Sequence, residues 1–284
     1  MTGAARRLWA LGEPFHALTY FADEARTSFG TAGLRTFWAG YFAGRAAPLG
    51  AVGPEVVTAT FAAFAPAFVA RRVPEVWTTT SPAQALSARL AGADAAVQRA
   101  LPGWADSAEA AEAANLACHA AEAVDVPGRP LAAANTALPL PELPHLALWQ
   151  ALTTLREHRG DGHLAALLQR ELLGLPSLVL SAAAGTTSAE WLQKARGWSP
   201  EEWAAAAGAL TDRGLLADGE LTERGRAVRN AVEADTDRLA RGPWAALGDA
   251  GCDRLAELLV PVRRAIVAAG DWPPHNPIGV PDPG

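Results

Sequence analysis

Apolar residues at helical spacing recur from one end of this chain to the other, and runs alternating with the two-residue period of a strand are nearly absent. That pattern restricts the fold to a mainly α architecture. Half of the residues are hydrophobic. The excess is mostly alanine, the strongest helix former, so it reports helix more than a greasy core. Helix candidates bounded by Gly and Pro lie at 4–29, 31–45, 54–71, 82–100 and 104–123, then at 145–172, 175–184, 188–196, 200–213, 222–241 and 249–269. Between the two sets, Pro127, Pro130, Pro139, Pro141 and Pro144 read as an extended connector, and the ending from Pro273 reads as a draped tail. The 284 residues thus divide into an aromatic-rich helical domain (1–102), a helix with the Pro-rich connector (103–144), a third domain (145–241) and a C-terminal helix with its tail (242–284). All eight Phe and both Tyr fall between Phe15 and Phe68, which marks an aromatic core or an aromatic-lined pocket.

The third domain carries the most specific local signals. Ser188 and Ser199 are placed as helix N-caps, with Pro200 in the first turn of the second helix. After Asp212-Arg213-Gly214, the stretch Leu215–Thr222 has the composition of a small β-wing, and a long helix starts at Thr222-Glu223-Arg224-Gly225-Arg226. This helix–turn–helix–wing–helix order resembles the MarR-like winged-helix family over roughly 145–241. That family's cadence is matched by Arg213-Gly214-Leu215 and by Leu221-Thr222-Glu223-Arg224-Gly225. The chain as a whole resembles an uncharacterised actinobacterial family defined by such a helix-turn-helix-like domain, a resemblance that implies the fold and carries no activity. A weak internal echo suggests a duplicated winged-helix pseudo-dimer with a cleft between its halves. Gly33-Leu34 to Ala43-Gly44 matches Gly174-Leu175 to Ala184-Gly185 in spacing, and Gly53-Pro54-Glu55 echoes Ser199-Pro200-Glu201.

The charge pattern argues against DNA. The chain is net −6, and residues 188–241 hold ten acidic against eight basic side chains. The second helix of the motif opens with Glu201 and Glu202, which suit its macrodipole but would repel phosphates. Arg224, Arg226 and Arg229 are the remaining phosphate candidates. DNA is therefore expected to be an improbable partner, and an anionic small molecule the better one.

The densest polar cluster is Arg156-Glu157-His158-Arg159-Gly160-Asp161-Gly162-His163. Helical steps place Arg159 and His163 on a row that is apolar before and after them, and buried ionisable groups are paired or functional. In the N-terminal half, Glu13, His16 and Tyr20 share a helical face, and Tyr41 and Arg45 close an aromatic helix. Asn135 sits in the connector. These residues suggest a site between the halves. Arg45, Arg156 and Arg159 would grip an oxyanion, with Tyr41 and Asn135 beside them. His163, oriented by Asp161, would act as general base or acid, with His16 or Tyr41 opposite. Such a site suits elimination or intramolecular displacement of an oxyanion leaving group such as sulfate, or simple binding of an anionic metabolite. Two other readings use the same features: a MarR-like ligand-responsive regulator, and a partner-binding protein docking through Trp198, Trp203 and Trp244.

No metal or cofactor is expected. His158 and Asp161 could share a face, but His163 lies elsewhere, and there is no HExxH, CxxC, Walker or GxGxxG pattern. Cys118 and Cys252 match no metal spacing and read as free buried thiols. Arg6-Arg7 briefly suggests an export signal, but Glu13-Pro14 breaks the stretch that should follow, and no run reaches the roughly 18 apolar residues of a membrane span. The expected location is the cytoplasm.

Overall fold

The computed structural model describes residues 2–273, Ile278 and Val280; most of the expected C-terminal tail lies outside these. The chain opens with α1 (Thr2–His16), α2 (Leu18–Phe21), α3 (Asp23–Thr31) and α4 (Phe37–Ala46), then a 3₁₀ turn at Ala47–Leu49. Next come α5 (Pro54–Thr60), α6 (Pro66–Ala70), α7 (Val73–Thr79), α8 (Pro82–Ala100), α9 (Ala108–Glu122) and α10 (Pro130–Thr136). The second half contains α11 (Pro144–Leu168), α12 (Leu175–Ala183), α13 (Ala189–Arg196) and α14 (Pro200–Asp212). A two-strand hairpin, β1 (Leu216–Ala217) and β2 (Glu220–Leu221), leads to α15 (Glu223–Leu239) and α16 (Arg241–Ala268). The fold is mainly α with one tiny wing, as the periodicity implied.

Several helix expectations need correction. The candidate at 54–71 is two helices, α5 and α6, because Phe61 (φ −111°, ψ 49°) and Ala65 (φ −61°, ψ 134°) leave the helical region. The candidate helix at 4–29 is three helices: α1 and α2 are divided at Ala17 (φ −74°, ψ −4°), and Ala22, extended at φ −71°, ψ 142°, separates α2 from α3. That bend sends Phe29 into a different cluster from Phe15 and Leu18. The connector also contains an element: Pro130 starts α10, whose Leu131 and Ala132 are buried. Proline breaks a helix interior but suits its first turn, so a cluster of prolines can hide a helix start.

The spine of the molecule is α11. Its N-terminal part packs Leu148, Trp149 and Leu152 into a core shared with α1, α8, α9 and α16, while Ala166 and Leu167 at its end join the helix-turn-helix core. The C-terminal helix α16 thus returns to the N-terminal helices, burying Trp244, Leu255 and Leu259 there. A third cluster, from Phe42, Phe61, Phe64 and Phe68, occupies the region of α4 to α6. Seventeen of the 25 residues of α11 are buried, Thr153, Glu157, His158, Arg159 and Asp161 among them, so this helix needs polar partners on nearly every side. Gly162 supplies one close approach: a Cβ there would lie 2.8 Å from Arg129 Nη1, which donates to His158 O.

The helix-turn-helix forms by local rules. Ser188 Oγ accepts from Trp191 N at the start of α13. Gly197 ends that helix in the left-handed region at φ 77°, and Ser199 and Glu202 form a capping box on α14. Asp218 and Gly219, both at positive φ, make the tight turn between β1 and β2, which pair Leu216 with Leu221.

Candidate functional site

A cavity of about 1290 Å³ lies between the aromatic N-terminal region and the helix-turn-helix half. This exceeds the usual range of small-molecule pockets, roughly 300–1,000 Å³. One wall is aromatic, with Phe37, Trp38, Tyr41, Phe61 and Phe64; the others come from α1, the second half of α11, α12, α13 and α15. Within the aromatic wall, rings pack edge-to-face, Trp38 against Phe64 at 5.5 Å and against Tyr41 at 5.6 Å.

Charged groups sit at both ends. At the first, Glu157 is the hub. It accepts from Arg45 Nε at 2.8 Å and Nη2 at 2.9 Å, and from Arg156 Nη1 at 3.0 Å. Arg156 also donates to Glu13 Oε1 at 3.2 Å, whose other oxygen takes Trp9 Nε1 at 2.7 Å. Burial would raise the Glu157 carboxyl, but Arg45 and Arg156 outweigh it and hold it well below the usual carboxylate range. At the second end, Arg159 donates to Asp237 at 2.8 Å and stacks over Trp9 at 4.5 Å, while Arg6 reaches Asp237 and Glu233. Arg229, on the rim, donates to Thr186.

The histidine tautomers follow from their hydroxyl partners. Thr236 donates its proton to Val232 O at 2.8 Å, so its oxygen accepts from His163 Nδ1 at 2.9 Å. The neutral ring therefore keeps Nε2 as its acceptor nitrogen, and burial lowers its basicity. By the same logic, Thr153 donates to Trp149 O, accepts from His16 Nδ1 at 2.9 Å, and leaves His16 Nε2 to accept from Tyr20 at 3.1 Å. Burial pushes the Tyr20 hydroxyl well above its ordinary range and His16 well below its own.

Of the residues singled out from sequence, Tyr41, Arg45, Arg156, Arg159, Asp161 and His163 all line the cavity. His16 stands behind Tyr20, not at the main cavity wall. Asn135 is buried against Gln150, which donates to its backbone oxygen at 3.3 Å. The expected Asp161–His163 pair does not form. Asp161 Oδ2 instead accepts from Ala132 N at 2.9 Å, Oδ1 has no partner, and burial pushes the carboxyl up to about 6. All three arginines expected to hold an oxyanion are engaged by carboxylates in this structure.

Sequence reasoning passed over Arg196, the last residue of α13. It lines the same cavity, and its guanidinium lies 4.5 Å from the centre of the Phe64 ring. Its Nε has no hydrogen-bond partner, and no ion pair engages it among the described residues. Arg196 follows a short amphipathic helix as any C-terminal cation would, so nothing local marks it. Arg89 is likewise a cation without a carboxylate and with an unpartnered Nε, but its two terminal nitrogens donate to Gly44 O and Gln150 Oε1 and it does not line this cavity.

Among the described residues, no group of three His, Cys, Asp or Glu could hold a metal ion, and no helix is long and apolar enough to cross a membrane. Both cysteines are free, Cys252 buried and Cys118 half-buried. Trp244 is buried, Trp203 is half-buried against the helix-turn-helix core, and Trp198 is half-buried with Nε1 bonded to Ala63 O, so the three tryptophans do not form a fully exposed docking patch.

The pattern defining a helix-turn-helix family matches residues 5–273. The chain belongs to that family. Neither a curated protein nor a solved structure matches it. The family match corrects the expectation that DNA is an improbable partner. That expectation rested on total charge and on Glu201 and Glu202, both exposed on α14. Net charge does not exclude local phosphate contacts, and Arg224 and Arg226 are exposed at the start of α15 beside the wing.

Proposed function

We propose that this chain is a ligand-responsive, MarR-like helix-turn-helix regulator: a small organic anion occupies the cavity, and the helix-turn-helix unit on its wall contacts DNA. The supporting observation is that the N-terminal aromatic region and α13 of the helix-turn-helix line the same cavity, so an occupant touches both. The proposal carries a cytoplasmic location with it. Phosphate contacts are assigned to Arg224 and Arg226. Fluorescence anisotropy with a labelled random-sequence duplex pool tests the DNA half of the reading between roughly 50 and 200 mM salt. The logarithm of the affinity should fall linearly with the logarithm of salt concentration, and Arg224→Ala or Arg226→Ala should each flatten that slope by about one. No retention at the lowest salt would remove the DNA role.

A second reading, catalysis in the same cavity, is favoured by His163. This neutral, cavity-lining imidazole offers Nε2 as proton acceptor, which suits elimination or intramolecular displacement of an oxyanion leaving group such as sulfate. Under this reading His163→Ala binds ligand as the wild type does and turns none over.

A further inference from the structure

Two arginines that line the cavity, Arg196 and Arg229, form no ion pair among the described residues. Arg45 and Arg156 take Glu157 and Glu13, Arg229 donates to the Thr186 hydroxyl, and Arg196 is left with the Phe64 ring; the cavity carboxylate Asp161 forms no ion pair and accepts from Ala132 N. At the other end Arg6 and Arg159 are matched by Asp237 and Glu233. An unmatched, half-buried cation beside an aromatic wall is a place where an anion gains a charge-assisted hydrogen bond and its apolar body is buried at the same time.

The backbone around Arg196 makes this position more than a charge. Its carbonyl accepts from Ala65 N at 2.9 Å, and Trp198 Nε1 donates to Ala63 O at 2.9 Å. Gly197 between them leaves no room for a Cβ against Phe68. The turn of the helix-turn-helix is therefore fastened on both sides of Gly197 to the 61–65 segment, whose Phe61 and Phe64 line the cavity.

We infer that Arg196 is the anion anchor of the cavity, taking the oxyanion of an amphipathic organic acid whose apolar body lies against Phe37, Trp38, Phe61 and Phe64, and that this contact links the occupant to the turn preceding α14. The inference rests on the cavity being a ligand site, as proposed above. Burial and the neighbouring Arg45 and Arg156 charges depress the basicity of Arg196, as expected for a cation that lacks a counter-ion.

Two fluorescent probes of nearly equal body test this on the full chain: 1-anilinonaphthalene-8-sulfonate, which carries the anion, and N-phenyl-1-naphthylamine, which lacks it. Titrations should give one site for each in the wild type, with the sulfonate bound more tightly. Arg196→Met, which keeps an unbranched apolar stem over Phe64, should weaken the sulfonate at least tenfold and leave the neutral probe unchanged. Arg196→Lys should keep part of the anion preference, and it carries the test should the Met variant fail to fold. Arg159→Gln, which removes a paired cation, should change the preference less than Arg196→Met. Equal sulfonate affinity in the wild type and Arg196→Met would overturn the anchor while leaving the cavity as a ligand site. Binding of neither probe to the wild type would overturn the cavity reading and this inference with it.

Discussion

The helix-turn-helix unit and the cavity beside it are built on opposite principles. The ends and turns within residues 188–221 are set by contacts a few residues apart, Ser188 with Trp191, Ser199 with Glu202 and Leu216 with Leu221, and only the turn at Arg196–Trp198 is bonded to the distant 61–65 segment among the contacts described above. The cavity's polar walls join residues that are strangers in sequence, Arg45 to Glu157 across 112 positions and Arg6 to Asp237 across 231. Local contacts survive a lost partner at the cost of a cap. A buried network does not, because each group that loses its partner keeps its full desolvation penalty. Stability and function should therefore respond differently to substitution in the two regions.

The largest contrast should come from Glu157. Glu157→Gln leaves Arg45 and Arg156 buried beside a neutral amide, and a loss of about 3–5 kcal/mol in urea unfolding is expected. A loss below about 1 kcal/mol would mean that the cavity network is no tighter than the surface bridges.

A medium effect is expected from pH, and it sharpens the comparison because two neighbours on α11 act in opposite senses. Burial raises Asp161 to about 6 from an ordinary carboxylate value near 3.8. Between these values the folded state holds more protons than the unfolded one, so this group's contribution falls as pH rises from about 4 to 6. Burial lowers His158 to about 4 from 6.5. In its window the unfolded state holds more protons, so its contribution rises with pH, as do those of His16 and His163. Asp161→Asn should therefore make the rise in urea midpoint between pH 4 and 6.5 steeper by an amount worth up to about 2 kcal/mol. An unchanged slope would show that Asp161 titrates normally in the fold.

The smallest effect belongs to the helix-turn-helix. Ser199→Ala removes the cap on α14 and should cost about 1 kcal/mol, with no change in the affinity of either dye. A change in dye affinity comparable to that of Arg196→Met would show that the two regions are coupled through α14 itself rather than through the Arg196 turn.

The difference between the regions also explains what could be read in advance. The α13–turn–α14–wing–α15 order was legible because caps, the Gly197 stop and the Asp218-Gly219 turn act over three or four residues. The Arg156–His163 segment was legible as a buried polar face, since charged residues interrupt an apolar row. Its pairings were not. Asp161 sits two residues from His163 yet bonds to Ala132, and His163 bonds to Thr236, because a helix sends neighbours i and i+2 in different directions.

The sequence by itself determined the mainly α class, the capped ends of α13 to α15 and the wing, since backbone propensity and capping depend on nearest neighbours. Only the tertiary structure decided which cations are neutralised. Arg45, Arg156 and Arg159 looked like free anion ligands until α1, α11 and α15 brought Glu13, Glu157 and Asp237 against them. Arg196, a helix-end cation that nothing local marks, is left by the same packing at the cavity wall with no ion pair among the described residues. Coulombic pairing depends on distance in space, and the spacing of charges along the chain does not record it.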